Sequence, residues 1–377
     1  MADGTPATAD ATGARLIVDL DAIAENYRII RERAPGAQVG ASVKADAYGL
    51  GLAPVARTLV QAGCRTFFVA TAGEGRALRT ILPDAEIVVL NGPDAESVAI
   101  FREAGLTPAL NSLHQIDTWR GGGIATPAWL HVDTGMNRLG LGPDEAETLF
   151  AEPDRLRGVG ISTVMSHLAC ADESGHPMNL AQLGAFEAAR TRLQALTGPV
   201  RASLANSPGV FLGPDYHFDL VRPGAALYGL EPQPGQPNPM RQTVEIYAKI
   251  LQVRSVDTPM TVGYGAAHKV AGPARIATVG AGYADGYPRA AARRTGEVMH
   301  AHVAGHKVPL FGRVSMDLIT IDVSELPEAV AVPGQEVELV GPNATPDSLG
   351  ASAGTIGYEV LTRFGNRLHR IYRGGSA

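Results

Sequence analysis

The stretch Val43-Lys44-Ala45-Asp46-Ala47-Tyr48-Gly49-Leu50-Gly51 decides how the chain reads. An apolar run from Val39 to Val43 predicts a short buried strand, which stops at a lone lysine and a turn-prone, glycine-marked segment. Desolvating an amine where a buried strand ends is costly. An unpaired lysine there is pushed toward its neutral, nucleophilic form. An amine that must form a Schiff base with an aldehyde needs that property. Taken alone, Lys44 reads as a solvated strand end, and only the rest of the chain favours chemistry.

Outward from Lys44, short apolar strands alternate with helical stripes. Leu20, Ile23, Tyr27 and Ile30 predict a helix over Asp19 to Ile30, with Asp19 capping its start. Leu52, Val55, Ala56, Leu59 and Val60 form a second stripe, ended by Gly63. Strands are expected at 66–70, 86–90, 108–110, 128–132, 160–166, 200–203 and 218–221, with helices at 72–82, 94–104, 112–119 and 182–196. With the Lys44 strand this makes eight, the number that closes a (β/α)8 barrel of TIM type. An open doubly wound sheet is the alternative, but no Gly-x-Gly-x-x-Gly follows the first strand.

Near Glu231 the character changes. Pro232, Pro234, Pro237 and Pro239 mark a linker. Beyond it Ile319, Ile321 and Val323 alternate with Thr320, Asp322 and Ser324, and Val337 and Leu339 with Glu336 and Glu338. Period two with frequent turns predicts a mostly antiparallel β domain. The expected organisation is a flexible leader over 1–14, a cofactor-binding barrel over 15–238 and a β domain over 239–377. The leader is small and polar and does not resemble a signal peptide.

Composition removes several function classes. The 377 residues are 45% hydrophobic and 19% charged, with a net charge of −6, so there is no basic footprint for nucleic acid. Two cysteines, Cys64 and Cys170, cannot form a disulfide scaffold and suit a reducing cytoplasm. No apolar run approaches the ~20 residues of a membrane span.

A barrel puts its chemistry after the carboxyl ends of its strands, and binds phosphate after strands seven and eight. Lys44 and Tyr48 follow strand one; Asp133-Thr134-Gly135-Met136-Asn137-Arg138 follows strand five; His167 follows strand six. Asn206-Ser207-Pro208-Gly209 follows strand seven, and Arg222-Pro223-Gly224-Ala225 follows strand eight. The last two loops offer a hydroxyl, small residues and free backbone N–H groups, which suits a phosphate. Pro-Gly turns also connect elements everywhere. A lysine, a phosphate nest and an arginine in one mouth suggest pyridoxal 5'-phosphate.

Here the chain resembles a known family. Val43 to Gly49 is similar to the cofactor-lysine signature of alanine racemases. The similarity runs on through Val132-Asp133-Thr134-Gly135-Met136, Ser166-His167-Leu168, Ala205-Asn206-Ser207, Asp219 to Gly224, Val262-Gly263-Tyr264-Gly265, Gly282 to Gly286, Gly312 to Asp317 and Gly357-Tyr358-Glu359. The resemblance implies a barrel plus β domain, a head-to-tail homodimer with shared active sites, and interconversion of L- and D-alanine on a pyridoxal phosphate Schiff base. It further implies a cytoplasmic enzyme supplying D-alanine for cell-wall peptidoglycan.

Racemisation removes the Cα proton on one face and returns one on the other, so two acid–base groups are needed. The resemblance implies Lys44 and Tyr264, the latter from the partner subunit. A free tyrosine has a pKa of ~10 and needs help near neutrality; His167 and Arg222 are implied helpers. Arg222 is also implied at the pyridine nitrogen, where an always-charged donor leaves that nitrogen unprotonated. Tyr48, Ser207, Tyr358 and the backbone of Gly224 and Ala225 are implied phosphate contacts, with Asn206 beside the cofactor. Arg138 is implied at the phenolic oxygen and substrate carboxylate, backbone at Met316 at that carboxylate, Tyr283 on the substrate path and Asp317 in support. The bland alternatives are a turn aromatic for Tyr264, a core side chain for Met316 and an ion pair with Asp219 for Arg222.

One position departs from the family. Many members carry a carbamylated lysine two residues before Asp-Thr-Gly-Met; this chain has His131, which forms no stable carbamate. A neutral histidine, or a bound anion such as chloride, is expected to orient Arg138 instead. Rival readings are a non-catalytic pyridoxal phosphate carrier, a fold-related decarboxylase and a racemase of serine or a broader range. The carrier lacks the domain that holds Tyr264.

Overall fold

The structure is a computed structural model that describes residues 13–124, 126–266, 268–292 and 299–375. Apart from its last two residues, the expected leader lies outside that set. The chain divides into two compact units, one of Ala22–Arg241 and one joining the residues up to Asp21 with Gln242 onward.

The first unit is the barrel. Seven parallel strands run in sequence order from Ala41–Ser42 through Thr66–Val69, Glu86–Val89, Thr107–Leu110, Ala128–His131 and Ile161–Met165 to Arg201–Ser203. The eighth, Leu220–Val221, pairs in parallel with Gln38–Val39. Backbone bonds from Asp219 N to Ala202 O (3.1 Å) and Ser42 N to Pro223 O (2.9 Å) close the ring. The interior is filled by Phe68, Val88, Ala109, Trp129, Met165 and Leu220, with Phe68 edge-on to Trp129 at 5.4 Å. Alternate residues of a pleated strand face one side, so each strand contributes its inward set to this plug.

The first barrel strand is interrupted, where the sequence predicts one run from Val39 to Val43. It breaks at Gly40, a position held to glycine by space, since a side chain there would meet the Phe68 ring at 2.6 Å. Strand ends otherwise shift by a residue or two. The helix read as Gln182 to Leu196 begins at Pro177, and the helix read from Asp94 begins at Val98.

The second unit is a mostly antiparallel sheet. Its long central strand Val244–Val256 pairs with Ala14–Asp19, Glu336–Val340 and Ala274–Val279. The strand Ala14–Asp19 corrects the expectation that the barrel starts at residue 15. It is parallel to His369–Arg373, so both its partners lie far along the chain, beyond any local pattern. Asp19 therefore ends a strand, and the helix starts at Leu20. Ile319, Ile321 and Val323 are buried and alternate with half-buried or exposed neighbours, as period two requires. Among the described residues no helix is long and apolar enough to cross a membrane, and no His/Cys/Asp/Glu group could hold a metal.

Candidate active site

Lys44 opens an unusual turn. Ala45, Asp46, Ala47 and Tyr48 all have left-handed backbone, with φ of 53°, 55°, 53° and 56°. Each costs a non-glycine residue roughly 1 kcal/mol or more. Local bonds offset that cost: Ala47 N to Val43 O at 2.9 Å, Gly49 N to Ala45 O at 2.8 Å, and Leu52 N to the Asp46 carboxylate at 2.7 Å. The turn drives Tyr48 inward, where it lies against Tyr228 with ring centroids 4.7 Å apart. Burial lowers the Lys44 pKa; the Arg138 charge lowers it further and Glu74 opposes. The amine is thus biased toward its neutral form.

The loops after strands seven and eight meet at one hydroxyl. Ser207 Oγ accepts from Gly224 N at 2.8 Å and Ala226 N at 3.2 Å. A side chain on Gly224 would sit 2.4 Å from the Tyr48 hydroxyl. Converging backbone donors, a hydroxyl and a phenol around a glycine form a cradle that fits a phosphate.

Arg222 is buried and pinned, donating to Ser203 Oγ at 2.6 Å and to the carbonyls of Ser166 (2.5 Å) and Leu204 (3.3 Å). Burial pulls it down to about 9, which still leaves it charged at neutral pH. Among the described residues it has no carboxylate partner, because Asp219 instead accepts from Ala202 N at 2.7 Å. The ion-pair alternative for Arg222 therefore falls away.

Two neutral histidines complete the mouth. Asn206 uses its carbonyl for Gly209 N (3.0 Å), so its amide nitrogen is the donor toward His167 Nε2, at 3.4 Å. Burial, then Arg222 and Arg138, hold the His167 pKa well below its ordinary value. Asn111 spends its amide nitrogen on the carbonyls of Leu90 and Ala109, both at 3.0 Å. Its oxygen must therefore accept from His131 Nδ1, at 2.7 Å. His131 is held at about 4, by burial first and Arg222 next, so its Nε2 is left as an acceptor. Arg138 stands exposed on the Asp133–Leu141 loop and makes no hydrogen bond or ion pair among the described residues. Its charge acts on Lys44, His131 and His167. Asn111 is absent from the sequence-based set, although its place directly after the fourth strand is a signal that would have found it.

The remaining residues belong to the β unit. Tyr264 is 69% exposed on a turn between Gly263 and Gly265, both with positive φ. Tyr283 N bonds Ser315 O and Ala284 N bonds Met316 O, each at 3.0 Å. Gly282 permits this stacking, since a Cβ there would lie 2.3 Å from Met316 O. Met316 is accordingly a surface residue, not a core one. Arg367 bridges Asp317 at 2.6 Å and Asp285 at 3.1 Å, so Asp317 is part of a clamp on these loops. Tyr358 sits half-buried on the helix Gly357–Thr362.

Residues 18–232 match the family description "Alanine racemase, N-terminal domain" and residues 243–372 "Alanine racemase, C-terminal domain". Fold and matched domains define a two-part amino-acid isomerase, with a barrel and a β unit. The chain is 50% identical over 371 residues to an alanine racemase of Rhodospirillum rubrum, covering 97% of each. It is 46% identical over 379 residues to a catabolic alanine racemase of Mesorhizobium japonicum, covering 99% of this chain and 96% of that one. The structure of the Bartonella henselae alanine racemase with covalently bound pyridoxal phosphate superposes with a TM-score of 0.89 at 38% identity, covering 96% of this chain and 100% of that one. The chain belongs to the alanine racemase family.

Proposed function

We propose that this protein interconverts L- and D-alanine with pyridoxal 5'-phosphate at the barrel mouth, Lys44 holding the cofactor through its amine. The observation that carries this reading is the desolvated Lys44 in the same mouth as the Ser207–Gly224 cradle that Tyr48 closes. Bound there, the cofactor supplies an electron sink that acidifies the substrate's Cα–H. Tyr48, Ser207, Tyr358 and the Gly224 and Ala225 backbone hold its phosphate. Arg222, anchored by Ser203, Ser166 and Leu204, faces the ring nitrogen as a donor-only cation.

Lys44 moves the proton on one face of Cα and Tyr264 on the other. Tyr264 comes from the second copy in a head-to-tail homodimer. His167 and Arg222 lend donors and positive charge that ease ionisation of that phenol. Arg138 binds the substrate carboxylate, together with Met316 backbone from the partner, while Tyr283 lines the substrate path and Asp317 steadies its loop. His131, neutral and with Nε2 free to accept, replaces a carbamylated lysine in orienting Arg138. The enzyme works in the cytoplasm and supplies D-alanine to peptidoglycan.

Chiral chromatography of L-alanine, L-serine and L-lysine incubated with the purified protein tests the proposal. Alanine is expected to racemise fastest. A protein that binds pyridoxal phosphate covalently but converts none of the three is a carrier, and one fastest on serine has a different physiological substrate.

A further inference from the structure

Glu74 does more than an ordinary helix cap. It belongs to the capping box that starts the helix Ala72–Ile81: Glu74 N donates to Thr71 Oγ1 at 3.3 Å, and Glu74 Oε2 accepts from Thr71 N at 3.3 Å. A capping box needs nothing further. Here Oε2 also accepts from Ala70 N at 2.8 Å, and Oε1 reaches to the end of the neighbouring strand to accept from Ala45 N at 2.8 Å. Ala45 is the first left-handed residue after Lys44. That turn is intrinsically unfavourable, and a carboxylate bond to a backbone N–H is stronger than a neutral one.

We propose that Glu74 is a positioning residue for Lys44: one carboxylate caps the second βα loop and clamps the left-handed turn on which the lysine is mounted. The turn also aims Tyr48 at the Gly224 cradle, so one side chain sets both ends of the cofactor site. Its charge acts in the same place, raising the proton affinity of Lys44 against burial and Arg138. His167 is also coupled to that amine. The catalytic meaning of Lys44 rests on the function proposed above; the bridge itself does not.

Two variants of the full-length protein separate bridging from capping. Glu74→Gln keeps the shape but has one accepting oxygen; that oxygen is retained by the two donors of its own loop, Ala70 N and Thr71 N, which turns the NH2 toward Ala45 N, so the bridge bond is lost. Thr71→Ala weakens the cap and leaves the carboxylate in place. Amide hydrogen exchange over 44–49 is expected to quicken roughly tenfold or more in E74Q, with Tm little changed, and to stay at the wild-type rate in T71A, with Tm lowered. In E74Q kcat should fall more than KM changes. The acid limb of kcat/KM should move to lower pH, because an amine without its carboxylate neighbour loses its proton more readily. Unchanged exchange at Ala45 in E74Q overturns the proposal, as does equal loosening in T71A. Faster exchange with an unmoved kcat keeps the bridge and rejects its link to Lys44. A protein with no racemase activity in any form fails the functional reading and leaves the exchange result standing.

Discussion

The two units carry their candidate residues in opposite styles. In the barrel, Tyr48, His131, Ser207 and Arg222 are all buried and every one is tied to a neighbour. In the β unit, Tyr264, Met316 and Tyr283 are 69%, 53% and 40% exposed on glycine-marked loops. A buried polar network fixes its own protonation and geometry. Large side chains on exposed loops gain theirs only when something covers them. The buried barrel residues are therefore fixed by the fold itself, with the exposed Arg138 as the exception, while those of the β unit are left open to whatever covers them.

The largest effects should come from the two proposed bases, and they should differ in kind. Lys44→Ala is expected to abolish covalent cofactor retention and cut racemisation at least roughly a thousandfold, at every protein concentration. A variant that still carried covalent cofactor would move the assignment to another lysine. Tyr264→Phe is expected to cost roughly a hundredfold or more and to keep the cofactor. It should also leave Cα–H exchange with D2O intact for one alanine enantiomer only. Equal exchange of both would place the second base elsewhere. Wild-type specific activity should fall on dilution while circular dichroism is unchanged, because in the proposed reading Tyr264 acts from a second copy. Constant activity to a monomeric state would erase the contrast between the halves.

The barrel half also predicts an acid sensitivity. His131 is held at about 4 in the folded protein against an ordinary 6.5, and His167 is lowered as well. Between those values the unfolded chain binds more protons than the folded one, so stability rises with pH. The contribution is fully present above 6.5 and is lost as pH falls toward 4, about 3 kcal/mol from His131 alone. Urea unfolding at pH 7.5 and 4.5 measures it. The loss should be smaller in His131→Asn, and an equal loss in both proteins would assign it to other groups.

Much of the barrel and its mouth is legible in the chain because local signals carry it. Strands alternating with helices spell out the barrel, and the polar residues just past each strand end include Lys44, His167, Ser207 and Arg222. The strand Ala14–Asp19 escapes a sequence reading because its partners, at 244–248 and 369–373, are distant along the chain. Glu74 escapes it for a different reason. It looks like an ordinary cap, and its role appears only when a neighbouring strand end comes within 3 Å. The left-handed run at 45–48 gives no warning at all, since Ala45 and Ala47 are poor candidates for positive φ. Tertiary bonds override that preference.

The smallest predicted effect is the sharpest test of the cradle. Gly224, at φ −131° and ψ −85°, stands where a glycine is needed. Space also requires one: a Cβ would lie 2.4 Å from the Tyr48 hydroxyl and 3.2 Å from Ser42 Cβ. Tyr48 cannot easily retreat, being fixed by its left-handed backbone and its contact with Tyr228. Gly224→Ala should therefore weaken pyridoxal phosphate retention about tenfold, roughly 1.4 kcal/mol, with the fold intact. Tyr48→Phe alone removes the phosphate contact proposed for its hydroxyl and should also weaken it. In the double variant the clashing oxygen is gone, so the two losses should sum to less than their separate values. Dialysis against cofactor-free buffer, then absorbance, gives all four affinities. Strict additivity would mean that Gly224 and Tyr48 do not share a boundary of the phosphate site, and the cradle would have to be redrawn without one of them.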